Sequence, residues 1–281
     1  MGKFILALAF LAFTGCATNK TNLTCYDGGY DNCIKSAREK NMDGQKEEAK
    51  QILKSICDKD VAKGCGELGY IEELNGNNNN ARKYYQLGCD KGDLYGSCNN
   101  LGTLEQRLGN NKEAYNIFSK ACDKGDGVSC GNLGFIEKQS GNVDKATQLF
   151  QKGCYKLNEP TSCAVMGKLA EDKKNKKEAE SYYTKARDIH MENCKKDNFA
   201  GGCIFAAEME WNLGHKGTAR KLYKKECDKC IPGVKKHMTC QACSMWGEME
   251  GKSGNKATAK KLYKKACEQG NDKLGCMLLK K

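Results

Sequence analysis

The spacing of the cysteines is the feature that most constrains what this chain can fold into. Beyond Cys16, steps of 24 residues alternate with steps of eight or nine residues through most of the chain. The resulting period of 32–33 residues predicts a repeat protein, in which each unit packs on its neighbours. Two stretches are seven residues longer than this period requires, one between Cys163 and Cys194 and one between Cys227 and Cys243.

Seven copies of the repeat align on the second cysteine of each short step, and positions are counted from that cysteine. Position +4 is always glycine or alanine, +11 is glycine except at Lys174, +16 is always alanine, and +20 is leucine or an aromatic residue. Apolar residues three or four places apart share one side of a helix, and glycine suits the left-handed residue after a helix end. Each copy is therefore predicted to be two helices joined by a turn at +11.

These copies predict an all-α fold, an α-solenoid of about seven antiparallel helix pairs. A glycine at +4 lowers helix propensity by about 1 kcal/mol relative to alanine, so its recurrence predicts a close approach of the second helix to the first. The sequence Cys-Asp-Lys-Gly-Asp at 89–93 and 122–126 predicts a turn followed by an aspartate N-cap of the next helix.

The composition fits a helical chain with a large solvated surface. Two residues are proline, 39% are hydrophobic with 19 cysteines included, 29% are charged, and the mean hydropathy is −0.72. These values exclude one large apolar core and favour thin layers of helices. No alternating pattern predicts a strand. The cysteine content argues against a reducing cytosol.

Residues 1–15 have the features of a targeting segment. Lys3 precedes an unbroken apolar run at 4–13, which is too short to span a bilayer as a helix. The run ends in FTG followed by Cys16, which resembles a bacterial lipobox, whose cysteine becomes the lipid-modified first residue of the mature protein. The alternative is an ordinary signal peptide with a coincidental cysteine. Ala17, in place of the aspartate that retains lipoproteins at the inner membrane, implies the outer membrane.

The expected domain organisation follows from these segments. We expect a signal peptide at 1–15, a lipid-anchored cysteine and short polar tether at 16–24, and a cysteine-rich repeat domain at 25–281. The expected location is the cell envelope after export, with the protein attached to the outer membrane and facing the periplasm or the cell surface.

The repeated positions also carry a family resemblance. The small residue at +4, the alanine at +16 and the aromatic residue at +20 resemble tetratricopeptide repeats. The Cys-x7-Cys step resembles the Sel1-like repeats of the Helicobacter cysteine-rich protein family, over about residues 25–281. The resemblance implies a right-handed superhelix whose first helices line a concave face. That family also carries a β-lactamase or penicillin-binding assignment, which is an alternative to a scaffold function.

The number and spacing of the cysteines predict local disulfides. Without Cys16 the chain has 18 cysteines, an even number, and each short step places two sulfurs beside one turn, within reach of a bridge. The seven bridges predicted by this rule are Cys25–Cys33, Cys57–Cys65, Cys89–Cys98, Cys122–Cys130, Cys154–Cys163, Cys194–Cys203 and Cys267–Cys276.

Four cysteines remain, at Cys227, Cys230, Cys240 and Cys243. Their C-x2-C-x9-C-x2-C spacing is compatible with a tetrahedral zinc site. An oxidising location favours two nested disulfides instead, Cys227–Cys243 and Cys230–Cys240. We therefore expect no metal or other cofactor, with zinc or a redox-active Cys-x2-Cys as the alternatives.

Catalytic motifs are sparse, and no catalytic residue is predicted. The three histidines, His190, His215 and His237, are expected on the surface without partners defined by the repeat. Ser253 and Lys256 match the S-x-x-K motif of penicillin-binding proteins, but they fall on the turn between helices and no K-T-G accompanies them. Whether the chain is an enzyme stays open.

The first helices supply the candidate binding face. In a tetratricopeptide frame, positions +1, +2, +5, +8 and +9 point toward the concave side. The predicted partner-binding residues are Asn99, Asn100, Thr103, Arg107, Asn132, Phe135 and Lys138. Further inward positions include Lys168, Glu208 and Trp211. An alternative role for the two inward asparagines at +2 is capping or packing between repeats.

The expected partner is a protein or peptide bound by a monomer that is held at the membrane by its lipid. The excess of 47 basic over 35 acidic residues comes largely from lysines on or before the second helices. These lysines predict either a solvated outer face or an attraction to anionic lipid headgroups. Nucleic acid is not expected, because no platform of interleaved aromatic and basic residues is present.

Overall fold

The computed structural model describes residues 17–19, 22–24, 29–196, 200–231 and 237–280. The expected signal peptide, the expected lipid-bearing Cys16 and the predicted disulfide partner Cys25 lie outside these residues.

The described residues form seven pairs of helices and one terminal helix, which confirms the predicted all-α solenoid fold. The first helices are α1 (Tyr30–Met42), α3 (Ala62–Leu74), α5 (Asn99–Arg107), α7 (Gly127–Gln139), α9 (Pro160–Asp172), α11 (Ala200–Asn212) and α13 (His237–Lys252). The second helices are α2 (Lys46–Cys57), α4 (Asn78–Asp90), α6 (Asn111–Asp123), α8 (Val143–Gln151), α10 (Lys176–Lys196), α12 (Lys216–Cys227) and α14 (Lys256–Gly270). The terminal helix is α15 (Lys273–Leu279), and short π-helical turns lie at Leu94–Cys98 and Lys152–Lys156.

The chain divides into two compact units, which meet in sequence between Ser129 and Cys130. In the first unit, one apolar cluster contains Ile34 and Ile52, and a second contains Tyr85 and Leu101. The second unit also has two clusters, which include the second-helix aromatics Phe150, Tyr183 and Tyr223. Each core is thus a thin layer between neighbouring helices, as the composition predicts.

The small residue at +4 is where the two helices of a pair meet. A Cβ added to Gly102 would lie 2.5 Å from the Phe118 ring, and one added to Gly167 would lie 2.6 Å from the Tyr183 ring. Contacts this short do not occur between real atoms, so a side chain at +4 would force the aromatic ring at +20 to move. The predicted close approach is confirmed.

The turn at +11 has the left-handed backbone that the glycines predict. Gly109 has φ of +84°, and Lys174, the one non-glycine at this position, has φ of +59°. The N-cap prediction is also confirmed, because Asp93 accepts hydrogen bonds from the backbone N–H groups of Gly96 and Ser97 at 3.1 and 2.8 Å.

Disulfides join the end of each second helix to the next first helix. The bridges in the structure are Cys57–Cys65, Cys89–Cys98, Cys154–Cys163, Cys194–Cys203, Cys227–Cys243, Cys230–Cys240 and Cys267–Cys276. Cys33, Cys122 and Cys130 are also disulfide-bonded. The prediction of a solenoid stapled between consecutive repeats is confirmed.

Two local features were not predicted from the sequence. The segment expected as a tether forms two short strands, β1 (Ala17–Asn19) and β2 (Asn22–Thr24), which pair antiparallel. Three residues are too few for an alternating pattern to appear in the sequence. The first seven-residue expansion, for which the sequence predicted no particular structure, lengthens α10 to 21 residues, about two extra turns.

Among the helices that the structure describes, none has both the length and the apolar character needed to cross a membrane.

Candidate functional site

Three consecutive first helices of the first unit form a cleft of about 470 Å³. Its walls come from α1, α3 and the start of the next first helix. The lining residues are Arg38, Lys63, Gly66, Glu67, Tyr70, Asp93, Tyr95, Gly96 and Asn100. Arg38 and Tyr70 occupy position +5 and Asn100 occupies +2, so the cleft lies on the side that the repeat frame predicts for ligand binding.

Two tyrosines give this cleft its apolar character. Tyr70 is 47% exposed and Tyr95 is 72% exposed, so neither ring is buried in a core. An exposed aromatic ring offers a large contact area at a low cost in side-chain entropy, and its hydroxyl can form a hydrogen bond. The half-buried Asn100 amide beside them supplies both a donor and an acceptor.

Ion pairs link consecutive first helices across this face. Arg38 donates two hydrogen bonds to Glu67, one of them at 2.7 Å, and these bonds raise the pKa of the Arg38 guanidinium. Arg107 lies 2.8 Å from Glu73, whose other oxygen accepts a hydrogen bond of 2.7 Å from Tyr85. The charged groups of the face are therefore held in place before any ligand binds.

The predicted binding residues are divided between the two units. In the first unit, Asn100 lines the cleft and Arg107 forms the ion pair with Glu73, whereas the exposed Thr103 hydroxyl donates to the backbone oxygen of Asn99 at 2.9 Å. Asn99 itself is half-buried. Thr103 is therefore bonded to its own helix.

In the second unit, Asn132 is half-buried and Lys138 is exposed. Phe135 packs edge-on against Phe150 with ring centres 5.1 Å apart, while 38% of its surface stays exposed. Part of this side chain therefore stabilises its own helix pair, and only its outer edge is open to a ligand.

The further inward positions of the second unit include a carboxyl group, Glu208, whose pKa is raised. Burial raises the pKa of Glu208, and repulsion from Glu248 raises it further. The hydroxyl of the buried Tyr223 has no hydrogen-bond partner among the described residues. Trp211 lies beneath the cationic groups of Lys216 and Arg220, at 5.6 and 5.4 Å from the ring centre.

A buried glutamate at +7 forms a network that the sequence analysis did not identify. In the first unit, Glu105 is 3% exposed and accepts hydrogen bonds from Arg82 of the preceding second helix and from Asn110 at +12. Arg220, Glu250 and Asn255 repeat this arrangement in the second unit. Each glutamate thus ties the turn of its own repeat to the repeat before it.

The sequence held a signal for this network. Position +7 is glutamate in five of the seven copies and +12 is asparagine in five. The hydrogen bond from Arg82 lowers the pKa of Glu105, and that from Arg220 lowers the pKa of Glu250 to about 2. Both glutamates are held ionised by their neighbours.

A second opening of about 900 Å³ lies beside this network, between α4 and α6. Its charged residues include Arg82 and Glu105, which are already bonded to each other. The tyrosine-lined cleft on the first helices is therefore the better candidate for ligand binding.

The expected surface position is wrong for His190, and the expected lack of a repeat-defined partner is wrong for His215, which is exposed as predicted. His190 is 8% exposed, and the centres of the His190 and Phe205 rings are 5.2 Å apart. Burial lowers the pKa of His190 to about 4. His215 does have a partner defined by the repeat, because it occupies +12 and its Nδ1 lies 2.7 Å from Glu210. The burial of His190 depends on the helical extension that carries it, and the partner of His215 belongs to the network at +7 and +12. For His237, the structure describes the helix and not the side chain.

The residues considered for catalysis or metal binding are placed as follows. Ser253 is exposed in the turn after α13, and Lys256 begins α14. The four cysteines of the second expansion are bonded in two nested disulfides, Cys227–Cys243 and Cys230–Cys240. In the part of the chain that the structure describes, no group of three or more His, Cys, Asp or Glu residues is arranged to hold a metal ion.

Comparisons with known proteins agree with this architecture. The sequence pattern of the Sel1 repeat matches residues 63–93, 94–126 and 240–271, and that of the tetratricopeptide repeat matches 160–189. No curated protein matches the sequence.

Solved structures give the same result at the level of the fold. A Sel1 repeat protein from Oxalobacter formigenes is 16% identical, with a TM-score of 0.54, and the match covers 83% of this chain and 98% of that one. A chain of the APC/C hetero-tetramer Cut9-Hcn1 is 14% identical with a TM-score of 0.53, covering 92% of this chain and 49% of that one. The chain therefore contains Sel1 and tetratricopeptide repeats in the matched segments and shares the helical repeat fold of these structures.

Proposed function

We propose that this protein is an exported, lipid-anchored scaffold that binds a protein or peptide through its first helices. Repeat proteins of this kind mediate protein–protein interactions. Such proteins bind through side chains presented by stacked helices, with no need for a catalytic centre.

The cleft lined by Tyr70, Tyr95 and Asn100 is the observation that carries this proposal. It combines exposed aromatic rings, an amide, and charged groups that are already fixed by ion pairs between helices. A peptide that enters such a cleft buries apolar area without first having to order the groups that receive it.

The location at the cell envelope is a separate part of the proposal. It rests on the apolar run before Cys16 and on a chain stapled by disulfides, which persist in oxidising compartments. Cys16→Ala should remove metabolic lipid labelling and allow salt at about 1 M to release the protein from the membrane fraction. An unlabelled wild-type protein would contradict the lipid anchor and leave the binding proposal intact.

Site-specific photo-cross-linking tests the binding face. A photoreactive amino acid in place of Tyr70 should give a discrete adduct in the native envelope. The matched control carries the same amino acid in place of Leu87, a partly exposed residue on the second helix α4. Asn100→Ala, introduced beside the label at position 70, should reduce the adduct several-fold, since one good hydrogen bond is worth about 1 kcal/mol.

Two results would contradict this binding face. The first is an equal adduct from positions 70 and 87, which would indicate random encounters. The second is an adduct at position 70 that does not change in the Asn100→Ala protein, while the melting temperature also stays unchanged.

A further inference from the structure

The last two second helices, α12 and α14, share a pattern of basic residues that the other second helices lack. Positions +13, +17, +18, +21 and +22 are all lysine or arginine in both. These residues are Lys216, Arg220, Lys221, Lys224 and Lys225 in α12, and Lys256, Lys260, Lys261, Lys264 and Lys265 in α14. In α6, the same five positions hold a single basic residue, Lys120.

Both helices belong to the second unit, and α14 approaches the C-terminal end of α12. Lys265 of α14 lies 3.7 Å from Asp228, the residue that directly follows α12. Because the basic positions are the same in the two helices, the charges of one helix are set beside those of the other. The result is a two-dimensional array of cations, which is called the lysine array below.

Most of the lysine array is open to solvent and unneutralised. Among the described residues, Lys221, Lys225, Lys260 and Lys261 are exposed and have no ion pair or hydrogen bond. Arg220 is bonded to the buried Glu250, whereas the lysines that do have partners form single contacts, such as Lys224 with Asp228 at 3.1 Å. Exposed pairs of this kind contribute little stability, so the positive charge is not explained by the fold.

The chemistry of the array restricts its partner. The aromatic residues of these helices, Tyr223 and Tyr263, are turned inward toward the first helices, where Tyr263 lies against Gly247. Lys216 and Arg220 lie over the partly buried ring of Trp211, whereas Lys221, Lys225, Lys260 and Lys261 are exposed outside this contact. Protein surfaces that bind single-stranded nucleic acids combine cationic side chains with aromatic rings that stack on the bases. Peptide-binding sites combine cationic side chains with apolar pockets. A flat field of lysines is instead complementary to a dense layer of negative headgroups.

We propose that α12 and α14 dock on an anionic lipid bilayer through the lysine array. The docking depends on the folded second unit and not on a lipid at Cys16, so it stands or falls independently of the peptide-binding cleft. Its strength comes from charge and decreases as salt screens the lysines.

Vesicle sedimentation tests this docking with the full chain carrying Cys16→Ala, so that no lipid is attached. The probes are vesicles of phosphatidylglycerol with phosphatidylcholine and vesicles of phosphatidylcholine alone. The array variant changes Lys221, Lys225, Lys260 and Lys261 to glutamine. The control variant makes the same change at Lys46, Lys83, Lys112 and Lys120, which are exposed lysines of second helices in the first unit and give the same net charge.

Each lysine near an anionic leaflet strengthens binding about fivefold. The array variant should therefore bind phosphatidylglycerol vesicles at least about 50-fold more weakly than the parent, with the four contributions less than additive. The control variant should bind within about threefold of the parent. Raising the salt to about 1 M, where the Debye length is about 3 Å, should remove the difference.

Three outcomes would overturn the docking proposal. Equal losses in the array and control variants would mean that only net charge matters. Equal binding of the parent to the two kinds of vesicle would mean that the N-terminal apolar run is responsible. Tighter binding to a DNA duplex than to anionic vesicles at the same salt concentration would make nucleic acid the better partner.

Since all eight lysines are exposed, the melting temperatures of both variants should equal that of the parent, which verifies their folding.

Discussion

At the scale of single residues, packing against the aromatic ring at +20 is the reason for the glycines at +4. Gly102 has no room for a Cβ, because the atom would lie 2.5 Å from the Phe118 ring. Gly251, also in a first helix, is different, since a Cβ there would meet the Tyr263 hydroxyl at 3.5 Å and the Ala259 Cβ at 3.6 Å, both ordinary contacts. Replacing glycine by alanine should therefore have opposite effects on stability at these two helical positions.

We expect Gly102→Ala to lower the free energy of unfolding by about 1–3 kcal/mol, because the ring of Phe118 must move in a packed core. Gly251→Ala is the matched control and should be neutral or should raise it by up to about 1 kcal/mol, because alanine is the better helix former. Urea unfolding monitored by circular dichroism measures both changes. Equal effects of the two substitutions would mean that helix propensity and not the aromatic contact decides position +4.

At the scale of the helices, the glutamates at +7 join one helix pair to the next. Glu105 is bonded to Arg82 from the preceding pair, and Glu250 is bonded in the same way to Arg220. Both carboxyl groups have a lowered pKa in the folded protein, that of Glu250 about 2. A carboxyl group with a lowered folded-state pKa stabilises the fold above its unfolded pKa, and this stabilisation disappears as the pH falls toward the folded value.

This network predicts that the free energy of unfolding decreases as the pH falls from about 5 to 2. Glu105→Gln should lower it by about 1–2 kcal/mol at neutral pH, since a charge-assisted bond is lost but Arg82 is partly exposed and regains water. The loss should shrink at acid pH, where Glu105 would be protonated in any case. Glu113→Gln, an exposed residue in the first turn of α6, is the control and should change little. A loss that is the same at both pH values would exclude the ion pair as its cause.

At the scale of the whole molecule, disulfides compensate for thin cores. Cys230–Cys240 is the extra bridge inside the expanded loop, and both cysteines are almost fully buried, at 2% and 1% exposure. In the chain-entropy model, closing a short loop of this kind stabilises the fold by about 2–3 kcal/mol. The bridge therefore secures the part of the second unit that departs from the regular period.

Replacing Cys230 and Cys240 together by alanine should lower the free energy of unfolding of the second unit by about 2–4 kcal/mol. The wild-type protein should release no zinc to a chelator, and its melting temperature should not change with chelator present. Peptide mapping without reductant should recover the pairs Cys227–Cys243 and Cys230–Cys240. Four free thiols in this loop, exposed only after chelation, would instead make it a zinc site.

The sequence by itself determined the repeat, the helix pairs, the turns at +11 and the disulfides between neighbouring repeats. These features are local: a helix turn, a left-handed glycine and a bridge across nine residues are each specified within one copy of the period. Only the tertiary structure decided which polar groups meet. Arg82 and Glu105 are 23 residues apart, and their contact depends on how one helix pair stacks on the next. The cleft at Tyr70 and Tyr95 likewise exists because three first helices pack in register, which brings together side chains that no single repeat contains.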